Sequence, residues 1–115
     1  MKIQDQVCSL ELSNKLKELG VKQESLYCWL EASDGARLMT NPANDSYKFF
    51  EQSSAFTVAE IGEMLPSRYK QGKYNGKYYA EHYEDNFDLC EGSDTEANAR
   101  AKMLVYLLET NLIKP

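Results

Sequence analysis

The sequence predicts an α+β fold, in which an antiparallel sheet of about four to five strands is covered mainly on one face by three helices. Two observations support this class. Asp34-Gly35 and Asn75-Gly76 are turn signals typical of hairpins. Segments with helical spacing precede, separate and follow these hairpins, and the C-terminal segment is the longest. The 115 residues contain no repeat or linker, so one domain spanning 1–115 is expected.

The first predicted helix carries leucines at roughly helical spacing, and Ser9 can cap its start. These leucines are Leu10, Leu12, Leu16 and Leu19. Gly20 follows the last of them, where a left-handed residue commonly ends a helix, and Val21 can supply the apolar contact beyond it. The sequence therefore predicts a helix that ends at Gly20.

A first hairpin is predicted to follow this helix. Ser25–Ala32 is rich in aromatic and apolar residues, and Arg37–Thr40 can return antiparallel to it after the turn. Asn41–Ser46 has the composition of a loop, and Tyr47–Glu51 is a further short strand candidate.

The second predicted helix has a clear start and stop. Thr57 and Glu60 have the spacing of a capping box, and Phe56 can pack against Ile61 as a hydrophobic staple. Pro66 ends the helix because the residue before a proline is disfavoured in the helical conformation.

The rest of the chain predicts a second hairpin, a short strand and the longest helix. Asn75-Gly76 lies between tyrosine-rich arms, and Phe87–Cys90 can add a strand. Ser93 and Glu96 have capping-box spacing, and Asn111 can stop the helix. Its apolar face is formed by Ala97, Ala101, Leu104, Leu108 and Leu112.

Composition narrows the function classes. The net charge of −5 disfavours non-specific binding to nucleic acid. Cys8, Cys28 and Cys90 have no paired spacing, which argues against disulfides and a zinc site. The sequence has neither an apolar run of membrane-spanning length nor a signal-peptide core, so we expect a cytoplasmic protein without membrane partners.

A basic and aromatic segment, Arg68–Tyr79, provides the candidate ligand site. It contains no acidic residue, and its cations can neutralise phosphate while its tyrosines can stack on a base. The predicted ligand-binding residues are Arg68, Tyr69, Lys73, Tyr74, Lys77 and Tyr78, with Trp29 as a further stacking or anchoring residue. Alternatively, the lysines only keep an exposed hairpin soluble and the tyrosines only pack across strands.

Other chemistry receives less support from the sequence. His82 is the only histidine and can act in acid–base chemistry, but no recognisable nucleophile motif accompanies it. The seven acids between Glu81 and Glu96 lack the pattern of a calcium loop, and no nucleotide-binding glycine motif is present. We therefore expect no metal, no cofactor and no catalytic residue.

Two segments together resemble small, uncharacterised proteins of tailed phages and prophages, especially those of gut Bacteroidetes. They are SAFTVAEIGEMLP, Ser54–Pro66, and DTEANARAKMLVYLLE, Asp94–Glu109, and Leu19–Ser25 also fits the pattern. The resemblance covers about a third of the chain and implies a viral context, hence the cytoplasm of a host cell. It supplies no site residues, and the candidate ligand site lies outside it.

The leading hypothesis is a phage accessory protein that acts by binding, in counter-defence, and that sequesters a nucleotide-type immune signal. The first alternative is a protein-binding inhibitor of a host defence complex. The second is a small enzyme that uses His82. A homo-oligomer is expected on general grounds, because most soluble oligomers are symmetric assemblies of one chain.

Overall fold

The computed structural model describes residues 2–32, 34–40, 51–65, 69–74, 77–84, 87–93 and 95–115, and within 69–92 it describes the side chains of Lys77 and Tyr78. The helices in this part are α1 (Ile3–Gln6), α2 (Leu10–Glu18), α3 (Val58–Met64) and α4 (Glu96–Glu109). The strands are β1 (Tyr27–Ala32), β2 (Gly35–Thr40), β3 (Glu51–Ser54), β4 (Tyr69–Tyr74), β5 (Lys77–Glu84) and β6 (Phe87–Ser93). The predicted α+β class is confirmed, and the longest of these helices is C-terminal. The predicted loop 41–46 and most of the strand 47–51 lie outside the described residues.

The strands form two antiparallel sheets of three strands each, in the orders β2-β1-β3 and β4-β5-β6. The sequence predicted a single sheet of four to five strands. The difference arises because β3 pairs with β1 and the chain then enters α3, so the first sheet is complete before β4 begins. Each sheet has its own helical partner among the described elements: α2 contacts β3, whereas α4 contacts β5 and β6.

The predicted ends of α2 are confirmed. The Ser9 hydroxyl accepts a hydrogen bond from the Leu12 amide at 3.3 Å. At the other end Gly20 has φ +90°, the Val21 amide donates to the Leu16 carbonyl at 3.1 Å, and the Gly20 amide donates to the Lys17 carbonyl at 3.1 Å. This is a Schellman motif, and Val21 is buried beyond it as predicted.

The predicted start of α3 is confirmed as well. The Glu60 amide donates to the Thr57 hydroxyl at 3.2 Å, and the Thr57 amide donates to the Glu60 carboxylate at 2.8 Å. Phe56 and Ile61 are both buried in the main hydrophobic cluster, as expected for a staple. Leu65, the residue before the proline, has ψ 148° and leaves the helix.

The predicted cap of α4 is wrong by two residues. The N-cap is Thr95, whose hydroxyl accepts from the Asn98 amide at 3.1 Å, whereas Ser93 is the last residue of β6 and pairs with Tyr78. The sheet therefore holds the backbone of Ser93 in the extended conformation. The C-terminal stop is confirmed, because Asn111 has φ 60° and the Leu112 amide donates to the Leu107 carbonyl at 3.0 Å.

Helix α4 forms the centre of the hydrophobic core. Eight of its 14 residues are buried, and it contacts α1, α2, α3, β5 and β6. The Asn98 side-chain oxygen accepts from the Ser9 amide at 2.7 Å, which joins α4 to the start of α2. The Arg100 guanidinium donates to the Val58 carbonyl at 2.9 Å, which joins α4 to α3. Such bonds position the helices that surround the cavity described below.

The short helix α1 was not predicted, because four residues are too few to show helical periodicity. The segment after it pairs with the start of α3: Val7 forms a bridge with Thr57, and the Cys8 amide donates to the Phe56 carbonyl at 3.0 Å. Among the helices that the structure describes, each is too short or too polar to cross a membrane.

Candidate functional site

The β4–β5 hairpin places basic and aromatic residues opposite one another. Lys73 pairs with Tyr78, and Tyr74 pairs with Lys77, on either side of the two-residue connection 75–76. The predicted second hairpin is therefore confirmed. Directly opposite residues of an antiparallel pair share one face of the sheet, so each of these pairs sets a lysine beside a tyrosine position.

The structure brings most of the predicted ligand-binding residues into this hairpin. Tyr69, Lys73 and Tyr74 lie on β4, and Lys77 and Tyr78 lie on β5. Arg68 lies outside the described residues. Lys77 is exposed, as a phosphate-binding lysine must be.

Tyr78 contributes to the core as well as to the hairpin. It is half-buried and packs against the main hydrophobic cluster, to which α4 contributes most of the residues. This contact anchors the first residues of β5 to the core.

Trp29 lies in the other sheet, on β1. Its indole N–H donates to the Cys8 carbonyl at 3.0 Å, and its side chain is half-buried. The bond connects β1 to the segment between α1 and α2. Trp29 thus has a structural role, and the sheet topology separates it from the hairpin residues.

The two cysteines whose side chains the structure describes are poorly suited to act as nucleophiles. His82 lies on β5 between Tyr69 and Leu89, so neither of its directly paired neighbours is a cysteine. Cys8 and Cys28 are buried, and desolvation raises the pKa of each thiol, which lowers the fraction of reactive thiolate. In the described part of the chain, no group of three His, Cys, Asp or Glu side chains is arranged to hold a metal ion.

A cavity of about 490 Å³ lies between α3, α4 and two short segments, 21–24 and 113–115. Its size falls in the range of small-molecule sites. The apolar lining residues are Val21, Phe56, Met64, Leu104, Leu108, Ile113 and Pro115, and the charged ones are Lys22, Glu24, Glu60, Glu63 and Lys114. The sequence analysis missed this cavity because its residues come from four distant segments, each of which shows only an ordinary helix or turn pattern.

The charged rim of the cavity is partly engaged in structure. The Glu60 carboxylate accepts from the Thr57 amide at 2.8 Å and, with its other oxygen, from the Leu26 amide at 3.2 Å. Lys22 and Glu24 form an ion pair at 3.2 Å with both side chains exposed, which contributes little to stability. Both signs of charge are therefore present around an apolar floor.

Comparison of the chain with protein-family models, with curated proteins and with solved structures finds no match.

Proposed function

We propose that this chain is a phage accessory protein that acts by binding and sequesters a nucleotide-type signal at the β4–β5 hairpin. The observation that carries the proposal is the register of the hairpin, in which Lys73 pairs with Tyr78 and Tyr74 pairs with Lys77. Two lysine and two tyrosine positions are thereby concentrated in two consecutive rungs at the end of the hairpin, with one lysine–tyrosine pair on each face of the sheet.

This arrangement suits an anionic ligand with an aromatic base. Lysine ammonium groups form charge-assisted hydrogen bonds with phosphate oxygens, and tyrosine rings stack on bases of any sequence. Lys77 is exposed and available to such a ligand. The net charge of −5 repels polyanions from the protein as a whole, so phosphate binding is expected at a local basic site such as this hairpin.

Sequestration also agrees better with the chemistry of the described residues than catalysis does. The buried thiols Cys8 and Cys28 are held in their protonated form by desolvation. A protein that only binds its ligand needs affinity and a slow release, and it needs no nucleophile.

The test is native mass spectrometry of the protein with a panel of cyclic dinucleotides and NAD-derived cyclic signals. A specific mass increase equal to an intact ligand is expected. Absence of any bound ligand across the panel would remove the nucleotide proposal, and conversion of a ligand to a product of different mass would favour the enzyme that uses His82.

The site is tested by Lys73→Ala combined with Lys77→Ala. Because a hydrogen bond to a charged group contributes about 1.5–3 kcal/mol, each substitution should weaken binding about 10-fold or more. Lys2→Ala is the matched control, since it removes one exposed lysine from the N-cap position of α1. Equal affinity of the double variant and the control would refute the assignment of the site to this hairpin.

A further inference from the structure

The two faces of the β4-β5-β6 sheet can be told apart at the start of β5. Tyr78 is half-buried and packs against the main hydrophobic cluster, whereas its neighbour Lys77 is exposed. Successive residues of a strand belong to opposite faces of the sheet. The positions of Lys77 and Tyr79 therefore share the face opposite to the one from which Tyr78 contacts the core, and this is the outer face of the sheet.

On the outer face a tyrosine position lies between two glycines. Tyr79 pairs with Gly72 on β4 and with Gly92 on β6, and directly opposite residues share one face of a sheet. Glycine in the interior of a strand has no side chain to pack, and it often marks a place where a ligand approaches the backbone closely. The row formed by Gly72, Tyr79 and Gly92 thus offers one aromatic position with a place that no side chain fills on each side.

The spacing of this row matches the spacing of stacked rings. Neighbouring strands lie about 4.8 Å apart, and the centroids of offset-stacked aromatic rings lie about 4.5–7 Å apart. A planar ring that stands over Gly72 or over Gly92 would therefore lie at stacking distance from a ring at position 79. Because both sides of the tyrosine position offer this place, the row can accommodate two planar rings at once.

Lys77 supplies positive charge beside the row. It precedes Tyr79 by two residues on β5, a distance of about 7 Å along the strand. In a nucleotide one ribose separates the base from its phosphate, so a ligand whose base stacks at Tyr79 has a phosphate within reach of the Lys77 ammonium group. Tyr74 pairs with Lys77 and adds a second aromatic position to the outer face.

We infer that the outer face binds a nucleotide with two bases, a cyclic dinucleotide, with one base on each side of Tyr79 and a phosphate at Lys77. The inference rests on the proposed nucleotide function and narrows its ligand class. A signal with a single base fills only one side of the row, whereas a ligand with two bases fills both. Gly72 and Gly92 then determine specificity, because a side chain at either position occupies the place of one base.

Isothermal titration calorimetry tests the inference with the cyclic dinucleotides of adenine and guanine as two-base probes and with AMP and GMP as one-base probes. The wild type should bind a two-base probe about 10-fold more tightly than its one-base counterpart, because each base stacked on an aromatic ring contributes about this factor. Gly72→Val should remove this advantage by weakening the two-base probe, and it should leave the one-base probe nearly unaffected because a single base can still stand over Gly92. Gly92→Val should behave in the same way.

Stability measurements separate loss of the site from loss of the fold. Valine favours strands more than glycine does, so both valine variants should be at least as stable as the wild type in urea unfolding. Gly72→Ala is the milder variant if valine disturbs the sheet. Ala36→Val is the matched control, since it adds the same side chain at an exposed position of β2 in the other sheet, and it should bind both probes like the wild type. Tyr79→Phe should keep the affinity that Tyr79→Ala loses.

The outcomes distinguish failure of this inference from failure of the proposed function. A wild type that binds no nucleotide, including the NAD-derived cyclic signals, would overturn both. A wild type that binds only one-base nucleotides would overturn the inference and leave the nucleotide proposal standing. The same holds if Gly72→Val and Gly92→Val bind the two-base probe as tightly as Ala36→Val does, because the glycines would then only allow the tyrosine to pack across the strands.

Discussion

Gly20 allows a direct test of how the N-terminal helix is attached to the core. The residue ends α2 with φ +90°, and its amide and that of Val21 close the Schellman motif. A methyl group at Gly20 would lie 3.4 Å from the Pro115 side chain, which is close to ordinary van der Waals contact. The cost of Gly20→Ala therefore comes mainly from the backbone conformation.

The expected loss can be worked from two opposing effects. A left-handed conformation costs an alanine about 1–2 kcal/mol. The smaller conformational entropy of the unfolded alanine chain returns about 0.4–1 kcal/mol. The net loss in the free energy of unfolding is then about 1 kcal/mol, which corresponds to a decrease of about 0.5 M in the midpoint of urea unfolding.

Urea unfolding followed by circular dichroism measures this change. Gly20→Asn should fall between the wild type and Gly20→Ala, because asparagine tolerates the left-handed conformation better than alanine does. Asn111 provides the reciprocal control: it has φ 60° in the corresponding position of α4, so Asn111→Gly should leave the stability unchanged or raise it. A Gly20→Ala variant as stable as the wild type would refute this account.

Two further predictions concern the core. Asn98→Ala should lower the free energy of unfolding by about 1–3 kcal/mol, because the Ser9 amide, which donates to the Asn98 oxygen at 2.7 Å, loses that acceptor. Asn98→Asp keeps the acceptor, so its free energy of unfolding should fall less in the same urea assay. Burial raises the pKa of the Cys8 thiol above its ordinary value of 9.0. As the pH rises, the thiol therefore loses its proton in the unfolded chain before it does so in the folded chain, which favours unfolding. The free energy of unfolding should fall above about pH 9. Urea titrations at a series of alkaline pH values should show a smaller fall for Cys8→Ala, and an identical fall would contradict the role of this thiol.

Local signals in the sequence predicted the helix ends and hairpins well. The ending at Gly20, the capping box of Thr57 and Glu60, and the stop at Asn111 are all confirmed, because each depends on residues within one turn of the helix. The hairpin at Asn75-Gly76 is confirmed for the same reason.

Features that depend on distant contacts were not predictable in this way. Ser93 and Thr95 are both good caps by composition, and pairing of Ser93 with Tyr78 in the sheet decides between them. The division into two sheets depends on the pairing of β3 with β1, and no local pattern encodes that choice.

The candidate site shows the same limit. The hairpin was predictable because Asn75-Gly76 is a local turn signal, whereas the place of Trp29 in the other sheet depends on topology. The cavity beside α3 was missed because Glu60 and Leu104 become neighbours around it only when α3 packs against α4.

The central position of α4 has a consequence for biosynthesis. The chain is made from its N-terminus, so α1, α2, α3, β5 and β6 leave the ribosome before α4, the helix that packs against them. The surfaces of these elements that contact α4 lack that partner until residues up to Glu109 have emerged. Closure of the core must therefore await the synthesis of α4, and the nascent chain offers exposed apolar surface to chaperones during that interval.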